Sequence, residues 1–296
     1  MNDQRILVTG ATGHVGRRVA QLLAGRGRAT RLLVRASAKR IPEIAHSEIV
    51  IGDYADTAAL DRAFAGVAAA LVVSVYGSPG ERARLHRNAF EAAARAGVGH
   101  VVYLSFLGAS AASKFPYSVD HHTSEEYLRA SGVAHTILRD CLYMDVLSGF
   151  FGPDGVLRGP AGDGAVAWVA REDVALSAVA LLDGPPGNGT VYDITGPEAL
   201  TLGATAERLS RLAGRELRYV DETLDEARAW RSRLGAPAWE VDVWIGTYLA
   251  IKAGELAAVS DAVERLTGRP PYTLERYYSE RPRLLERLRG PRPAGA

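Results

Sequence analysis

The sequence predicts an α/β protein, a doubly wound parallel sheet with a smaller, mostly helical lobe at its C-terminal end. Three observations predict it. Short aliphatic runs alternate with helix-patterned segments through the first half of the chain. Those runs are apolar almost throughout rather than at every second residue, as strands covered on both faces must be. After about residue 150 the rhythm changes to turns and then to helices.

The first strand is Ile6-Leu7-Val8-Thr9, and residues 14–24 follow with Val15, Val19, Leu22 and Leu23 at helical spacing. Further strands are expected at Arg31–Arg35, Glu48–Ile51, Ala70–Val73, Val101–Leu104 and His135–Leu138. Helical segments separate them, clearest at 80–96, where Ala83, His86, Phe90, Ala93 and Ala94 fall near one face. Right-handed crossovers then wind helices onto both sides of the sheet. Gly149 to Gly164 holds six glycines and two prolines, a turn-rich excursion. A strand at 165–169, a helix at 172–182 and a strand at 190–194 are expected to return to the main sheet. From 201 the chain reads as helical, with one strand at Leu217–Val220; Pro270-Pro271 precede a last helix at 273–288. The tail 291–296 reads as disordered.

Composition excludes several functions. The 296 residues carry 35 basic and 34 acidic groups, a net charge of +1, without the positive excess of a nucleic-acid binder. Cys141 is the single cysteine, so an internal disulfide and a thiolate metal cluster are excluded. No apolar leader precedes the first strand, and no apolar run reaches the ~18 residues that span a bilayer. A cytoplasmic protein with no membrane or metal role is expected. Only Lys39, Lys114 and Lys252 are lysines, which, with the abundant Ala and Gly, reads as a GC-rich coding bias.

The strongest chemical signal is Val8-Thr9-Gly10-Ala11-Thr12-Gly13-His14-Val15-Gly16, directly after the first strand and opening the first helix. In that context the glycines allow a tight turn, a close approach of backbone N–H groups to a pyrophosphate and close helix–strand packing. Gly10, Thr12, Gly13, His14 and Val15 are therefore candidate dinucleotide ligands on a Rossmann sheet. At the end of the second strand an NAD site usually carries Asp or Glu; here Arg35 stands there, suited to a 2′-phosphate, so NADP(H) is expected. Asp53 and Tyr54 after the third strand are candidates for the adenine site. Ser74, Val75 and Tyr76 after the fourth would lie across the switch-point crevice. Residues 1–150 then form the cofactor domain, with elements returning from about 165–195, and 151–290 an interleaved substrate lobe.

These residues resemble the NmrA-like group of atypical short-chain dehydrogenases/reductases. The match rests on Thr9–Gly16, Arg35, Gly52-Asp53, the helix Arg84–Val98, Tyr103–Ala109, Glu125–Arg139, Arg171–Ala175, Asp193–Gly196 and Leu266–Pro270. It implies an NADP-binding Rossmann lobe with a C-terminal lobe closing over substrate. Members include quinone and ketone reductases, polyketide ketoreductases and redox sensors that bind the cofactor without turnover.

Carbonyl reduction needs a hydride at carbon and a proton, or a donor, at the developing alkoxide. Short-chain reductases use Tyr-x-x-x-Lys and a hydroxyl at the end of the fifth strand. Here Tyr117 keeps register, but His121 stands for the lysine, and Ser105 is followed by Phe106 where the hydroxyl belongs. Three readings stay open: Tyr117 as acid with His121 assisting, a hydroxyl on the substrate itself as proton source, and a non-catalytic sensor. Ser105 is a further candidate hydroxyl. The aromatic-rich C-terminal part (Trp230, Trp239, Trp244, Tyr248, Tyr272, Tyr277, Tyr278) would wall a flat substrate, and Phe150-Phe151 would form a lid. The expectation is an NADPH-dependent ketoreductase for a polycyclic aromatic ketone or quinone, of the kind found in aromatic-polyketide and antibiotic biosynthesis. The alternative is an NADP-binding redox regulator.

Overall fold

A computed structural model describes residues 5–41 and 43–290. The tail expected to be disordered lies outside the described residues. The first half runs β1 (Ile6–Val8), α1 (His14–Gly25), β2 (Thr30–Val34), β3 (Ser47–Ile51), α2 (Thr57–Phe64), β4 (Ala69–Val73), α3 (Glu81–Arg95), β5 (His100–Phe106), α4 (Pro116–Ala130) and β6 (His135–Asp140). After α5 (Met144–Leu147), β7 (Val156–Gly159) and β8 (Ala165–Val166), the chain returns through α6 (Arg171–Asp183) and β9 (Val191–Ile194). It then continues as β10 (Leu200–Thr201), α7 (Leu202–Ala213), β11 (Arg218–Asp221), α8 (Leu224–Arg231), α9 (Ala238–Lys252), α10 (Ala262–Thr267), α11 (Leu274–Ser279) and α12 (Pro282–Arg289).

Seven strands form one sheet in the order β3-β2-β1-β4-β5-β6-β9, every neighbouring pair parallel. This is a Rossmann-like α/β fold. The strand order reverses between β1 and β4, which opens the crevice at their C-terminal ends. Alternation along each strand divides the core into two layers. Ile6, Val8, Leu32, Leu71, Val102 and Leu138 face one cluster with Val15, Val19 and Val174. Leu7, Leu33, Val72, Val101 and Ile137 face another with Leu60, Phe64, Phe90 and Leu128. Both layers are dry, which is why the strands read as continuous apolar runs.

Two expectations are corrected. The strand expected over 165–169 to rejoin the main sheet is only Ala165–Val166, paired antiparallel with Leu200–Thr201 in a small separate sheet. The single helix expected over 273–288 is two, α11 and α12, because Pro282 begins a new first turn where its missing N–H costs nothing. The strand near 217–220 exists as β11 and pairs parallel with β7.

Four of the motifs behind the family resemblance turn out to form three clasps. Buried Asp173 on α6 accepts from Arg269 Nη2 at 2.6 Å and from the Tyr272 backbone N–H at 2.9 Å, so Arg171–Ala175 and Leu266–Pro270 meet. Thr195 accepts the Ser260 N–H at 3.0 Å, anchoring Asp193–Gly196 to the segment before α10. Glu125 and Arg139 join α4 to β6 through paired contacts of 2.8 and 2.6 Å. Among the described residues no helix is long and apolar enough to cross a membrane, and no three His, Cys, Asp or Glu side chains gather as a metal site.

Candidate active site

The crevice begins where β1 ends. Gly10 adopts φ +62°, and a Cβ there would stand 3.0 Å from that of Val73. A Cβ on Gly16 would lie 2.4 Å from the Gly10 carbonyl oxygen, so α1 packs onto the loop at a distance only glycine allows. Thr9, to which the glycine string assigns no part, locks this geometry. Its hydroxyl donates to Leu71 O at 3.0 Å and accepts from the Val73 N–H at 2.8 Å, holding the ends of β1 and β4 together. At the start of α1 no side chain caps the N-terminus and no acidic residue occupies the first turn, leaving the first N–H groups and their positive potential to an anion.

A cavity of about 290 Å³ follows the strand ends, lined by Gly10, Thr12, Gly13, Leu33, Arg35, Gly52, Asp53, Tyr54, Val73, Ser74, Val75 and Tyr76. Nine of the eleven candidate cofactor residues thus meet along one wall. His14 and Val15 do not line it. His14 is exposed at the first helical position, and Val15 points into the core, so Val15 has only its backbone N–H to offer. Arg35 stands exposed just beyond β2, with no carboxylate paired to it among the described residues. Asp53 already uses one oxygen, Oδ1, to accept the Ala55 and Asp56 N–H groups at 2.8 and 3.2 Å. Tyr54 is buried, its hydroxyl 2.6 Å from Thr9 Oγ1 and donating to Val73 O at 2.9 Å. The adjoining sheet thus uses the Tyr54 phenol. The loop glycines, the uncapped helix and the unpaired arginine together fit a phosphorylated dinucleotide.

The three candidate catalytic residues separate. Tyr117, the second residue of α4, is half-buried, and its hydroxyl donates to Gly77 O at 2.9 Å, immediately after the cavity-lining Tyr76. Phe106, Phe115, Trp239 and Val243 surround it with apolar surface. Ser105 is buried on the helix side of β5, where its hydroxyl donates to Glu125 Oε1 at 2.7 Å. His121 lies one turn after Tyr117, but its ring is buried against Tyr103 and Phe106.

Beneath the crevice lies a polar cluster that no sequence motif announces. Arg82 of α3 is buried; its Nε donates to Val75 O at 2.7 Å and its Nη1 reaches Asp120 at 3.4 Å. Nη2 lies 3.2 Å from His121 Nε2, and the guanidinium carbon stands 3.7 Å above the Tyr117 ring. The Val75 N–H donates to His86 Nε2 at 3.0 Å. Arginine and backbone N–H groups only donate, so Nε2 of both histidines accepts and each ring carries its proton on Nδ1. Burial, with Arg82 alongside, holds both histidines well below the ordinary range, so they stay neutral. Val75 is thereby gripped at both its N–H and its carbonyl.

Tyr76, largely exposed, packs against Trp239 at the start of α9, with ring centroids 5.8 Å apart. Helix α9 therefore touches the cofactor crevice. On its other side, Trp244, Thr247, Tyr248 and Ile251 line a second cavity of about 470 Å³. Phe150, Phe151, Val156, Trp168, Leu202, Trp230 and Leu234 complete its apolar wall, and Arg158 and Arg231 supply guanidinium groups. The expected aromatic lobe thus divides: Trp230, Trp244 and Tyr248 face this cavity, Trp239 faces the crevice, and Tyr272, Tyr277 and Tyr278 are core.

The chain matches the sequence model of an NAD(P)H-binding family over residues 10–185, more than half its length. The chain belongs to this family. It is an NADPH-dependent oxidoreductase, and its cofactor is NADP(H). It is 38% identical over 274 residues to the (4-alkanoyl-5-oxo-2,5-dihydrofuran-3-yl)methyl phosphate reductase of Streptomyces griseus, covering 90% of this chain and 93% of that one. It is 32% identical to quinone oxidoreductase 2 of Escherichia coli, over 91% and 96% of the two chains. Among solved structures, the NADPH-dependent quinone oxidoreductase of Escherichia coli complexed with NADPH superposes with a TM-score of 0.81 at 29% identity, covering 93% of this chain and 99% of that one.

One buried acid in this oxidoreductase makes stability depend on pH. Asp140 ends β6, fully buried, and accepts from the Tyr143 hydroxyl. Burial raises its carboxyl to about 8, against smaller opposing pulls from Tyr143 and Arg171. In the unfolded chain it ionises near ~3.9, so the folded state holds the extra proton between those values. Its contribution to stability then falls as pH rises from about 4 towards 8. Asp140→Asn, neutral throughout, should flatten that decline and gain on the wild type by more than about 1 kcal/mol between pH 5 and 8 in denaturant titrations. Parallel curves would refute the assignment.

Proposed function

We propose that the protein reduces a carbonyl of a flat, conjugated ring compound, a quinone or polycyclic aromatic ketone, with NADPH as hydride donor and Tyr117 as proton donor. The observation that carries this is the aromatic cavity on α9, the same helix that meets Tyr76 at the crevice. Trp168, Trp230, Trp244, Tyr248 and Phe150 offer ring faces and edges to a planar ligand, and few polar groups demand a partner.

Bound along the strand ends, NADPH supplies the hydride. Arg35 is assigned to the 2′-phosphate, Gly10–Gly13 and the first turn of α1 to the pyrophosphate, Asp53 to the adenine, and Ser74–Tyr76 to the nicotinamide side of the crevice. Tyr117 borders that side through Gly77, and its apolar neighbours exclude water. Burial raises its phenol above the ordinary range, although Arg82 pulls the other way, so it stands protonated and able to donate. His121 and Ser105 serve the buried scaffold rather than the carbonyl.

A second reading is favoured by the Streptomyces griseus relative, whose substrate is a phosphorylated oxo-dihydrofuran. Phe151 and Gly152 of the aromatic cavity also border a surface groove carrying Arg215, Arg283 and Arg287, where a phosphate would find positive charge. Steady NADPH oxidation with naphthoquinones and hydroxyanthraquinones supports the first reading; turnover only with a furanone phosphate transfers the function to the second. No oxidation across the panel overturns both and leaves cofactor binding alone. Tyr117→Phe should lower kcat by about 100-fold or more, the usual span of a lost acid. Turnover within a few fold would move the proton source to a hydroxyl on the substrate.

A further inference from the structure

We propose that Arg82 is the positioning residue that gives Tyr117 the permanent positive charge which short-chain reductases take from a lysine on the tyrosine's own helix. This rests on Tyr117 being the proton donor. Lysine is absent from that position, and the substituting His121 is neutral and turned inward. The charge arrives instead from the neighbouring helix α3, with the guanidinium 3.7 Å over the phenol ring.

Every side of that guanidinium is held. Val75 O takes Nε, Asp120 takes Nη1 and His121 Nε2 takes Nη2, so the plane is fixed in its place over the ring. His121 therefore acts as the neutral acceptor that orients Arg82. A protonated lysine at that position would repel Arg82 and could not accept from it. The histidine and the arginine thus form one solution to the missing lysine, and the Arg82–Asp120 ion pair is nearly dry, with side-chain exposures of 3% and 6%.

In the step so served, hydride adds to the carbonyl carbon and the carbonyl oxygen becomes an alkoxide. The Tyr117 O–H bond breaks, its proton passes to that oxygen, and the phenolate left behind faces Arg82 until water returns a proton. The charged and titratable groups facing Tyr117 are Arg82 from α3, Asp120 from α4, Glu240 from α9 and Tyr76 from the loop after β4. Arg82 alone among these side chains favours the phenolate; Asp120 and Glu240 oppose it.

That opposition supplies a test of sign. Arg82→Met, Arg82→Lys and Asp120→Asn are compared with the wild type, each also combined with Tyr117→Phe, using NADPH and a naphthoquinone. Position 117 is further replaced by difluorotyrosine, whose phenol ionises nearer neutrality, so that the alkaline limb of kcat is in reach. Arg82→Met should lower kcat by about tenfold or more with KM for NADPH within about threefold, and raise the limb by more than about half a pH unit. Arg82→Lys should restore most of the rate, Asp120→Asn should move the limb downward, and Arg82→Met should cost less than about twofold once Tyr117 is Phe. If Arg82→Met does not fold, the Asp120→Asn shift and the Arg82→Lys rate decide. An unmoved limb, or an equal loss with and without Tyr117, overturns the role of Arg82 while leaving Tyr117 as donor. Near-normal turnover of Tyr117→Phe overturns the reading beneath it.

Discussion

Glu125→Ala is expected to destabilise the protein by about 3 kcal/mol or more, close to the range for breaking a buried ion pair from one side. Glu125 has no exposed surface, yet both its oxygens are engaged. Oε1 accepts from Ser105 at 2.7 Å and Arg139 Nε at 2.8 Å; Oε2 accepts from Arg139 Nη2 at 2.6 Å and Arg129 at 3.1 Å. Truncation strands the buried Ser105 hydroxyl and removes from the Arg139 guanidinium the carboxylate that pairs with its Nε and Nη2. Ser105→Ala removes only one of these contacts and should cost about 1 kcal/mol. Urea titrations of both variants check the order: a Glu125→Ala loss no larger than that of Ser105→Ala would show that the network carries no weight. The same pair separates scaffold from chemistry, because Ser105→Ala should leave kcat within about twofold if its hydroxyl never meets the carbonyl.

Arg35→Ala should weaken NADPH binding by about 10–100-fold while changing NADH binding less than about threefold, as expected when one bidentate phosphate contact is lost. Arg35 is exposed, lines the cavity at the strand ends and stands just after β2, where an NAD site usually carries a ribose-binding carboxylate. An exposed guanidinium with no side-chain partner among the described residues makes its interaction with phosphate entirely in the complex. Calorimetric titration with both dinucleotides checks it, and the NADPH loss should shrink as salt is raised. Equal losses for the two cofactors would remove Arg35 from the 2′-phosphate. Arg35→Asp is the sharper form, since a carboxylate there repels the phosphate and accepts from the ribose hydroxyls, reversing the preference.

The sheet and the grouping of the candidate cofactor residues were legible because both follow local rules. Strands buried on two faces must be apolar throughout, and a glycine loop between strand and helix has one common use, so Gly10, Thr12, Gly13, Arg35, Asp53 and Ser74–Tyr76 fell along one cavity. The polar cluster beneath the crevice was illegible for the opposite reason. Arg82 sits in a helix where arginines are ordinary surface residues, and its partners come from Val75, Asp120 and His121, which no periodicity brings together. Thr9 was overlooked because its neighbours in the glycine string point to the ligand rather than to the seam between β1 and β4. His121 was visible as a substitution, but its meaning depends on a side chain from another helix. The strand expected to return at 165–169 failed on length: an apolar run bounded by turns does not say which sheet it joins.

The placement of β9 has a consequence for how this chain can be divided. The sheet's last strand, Val191–Ile194, and the helix α6 that covers one face of β4, β5 and β6 both arrive after the excursion that begins near residue 149. A fragment ending at residue 150 would leave the β6 edge unpaired and the α1 layer open, while the remainder would own a strand with nothing to pair. The Asp173–Arg269 clasp carries the dependence on to the segment before α11. The parts before and after residue 150 are therefore not separable modules. Exchanging the C-terminal part for that of a relative, to change what is reduced, would also exchange part of the wall that holds NADPH's own sheet together, and graft boundaries belong after Ile194 rather than at the change of rhythm near 150.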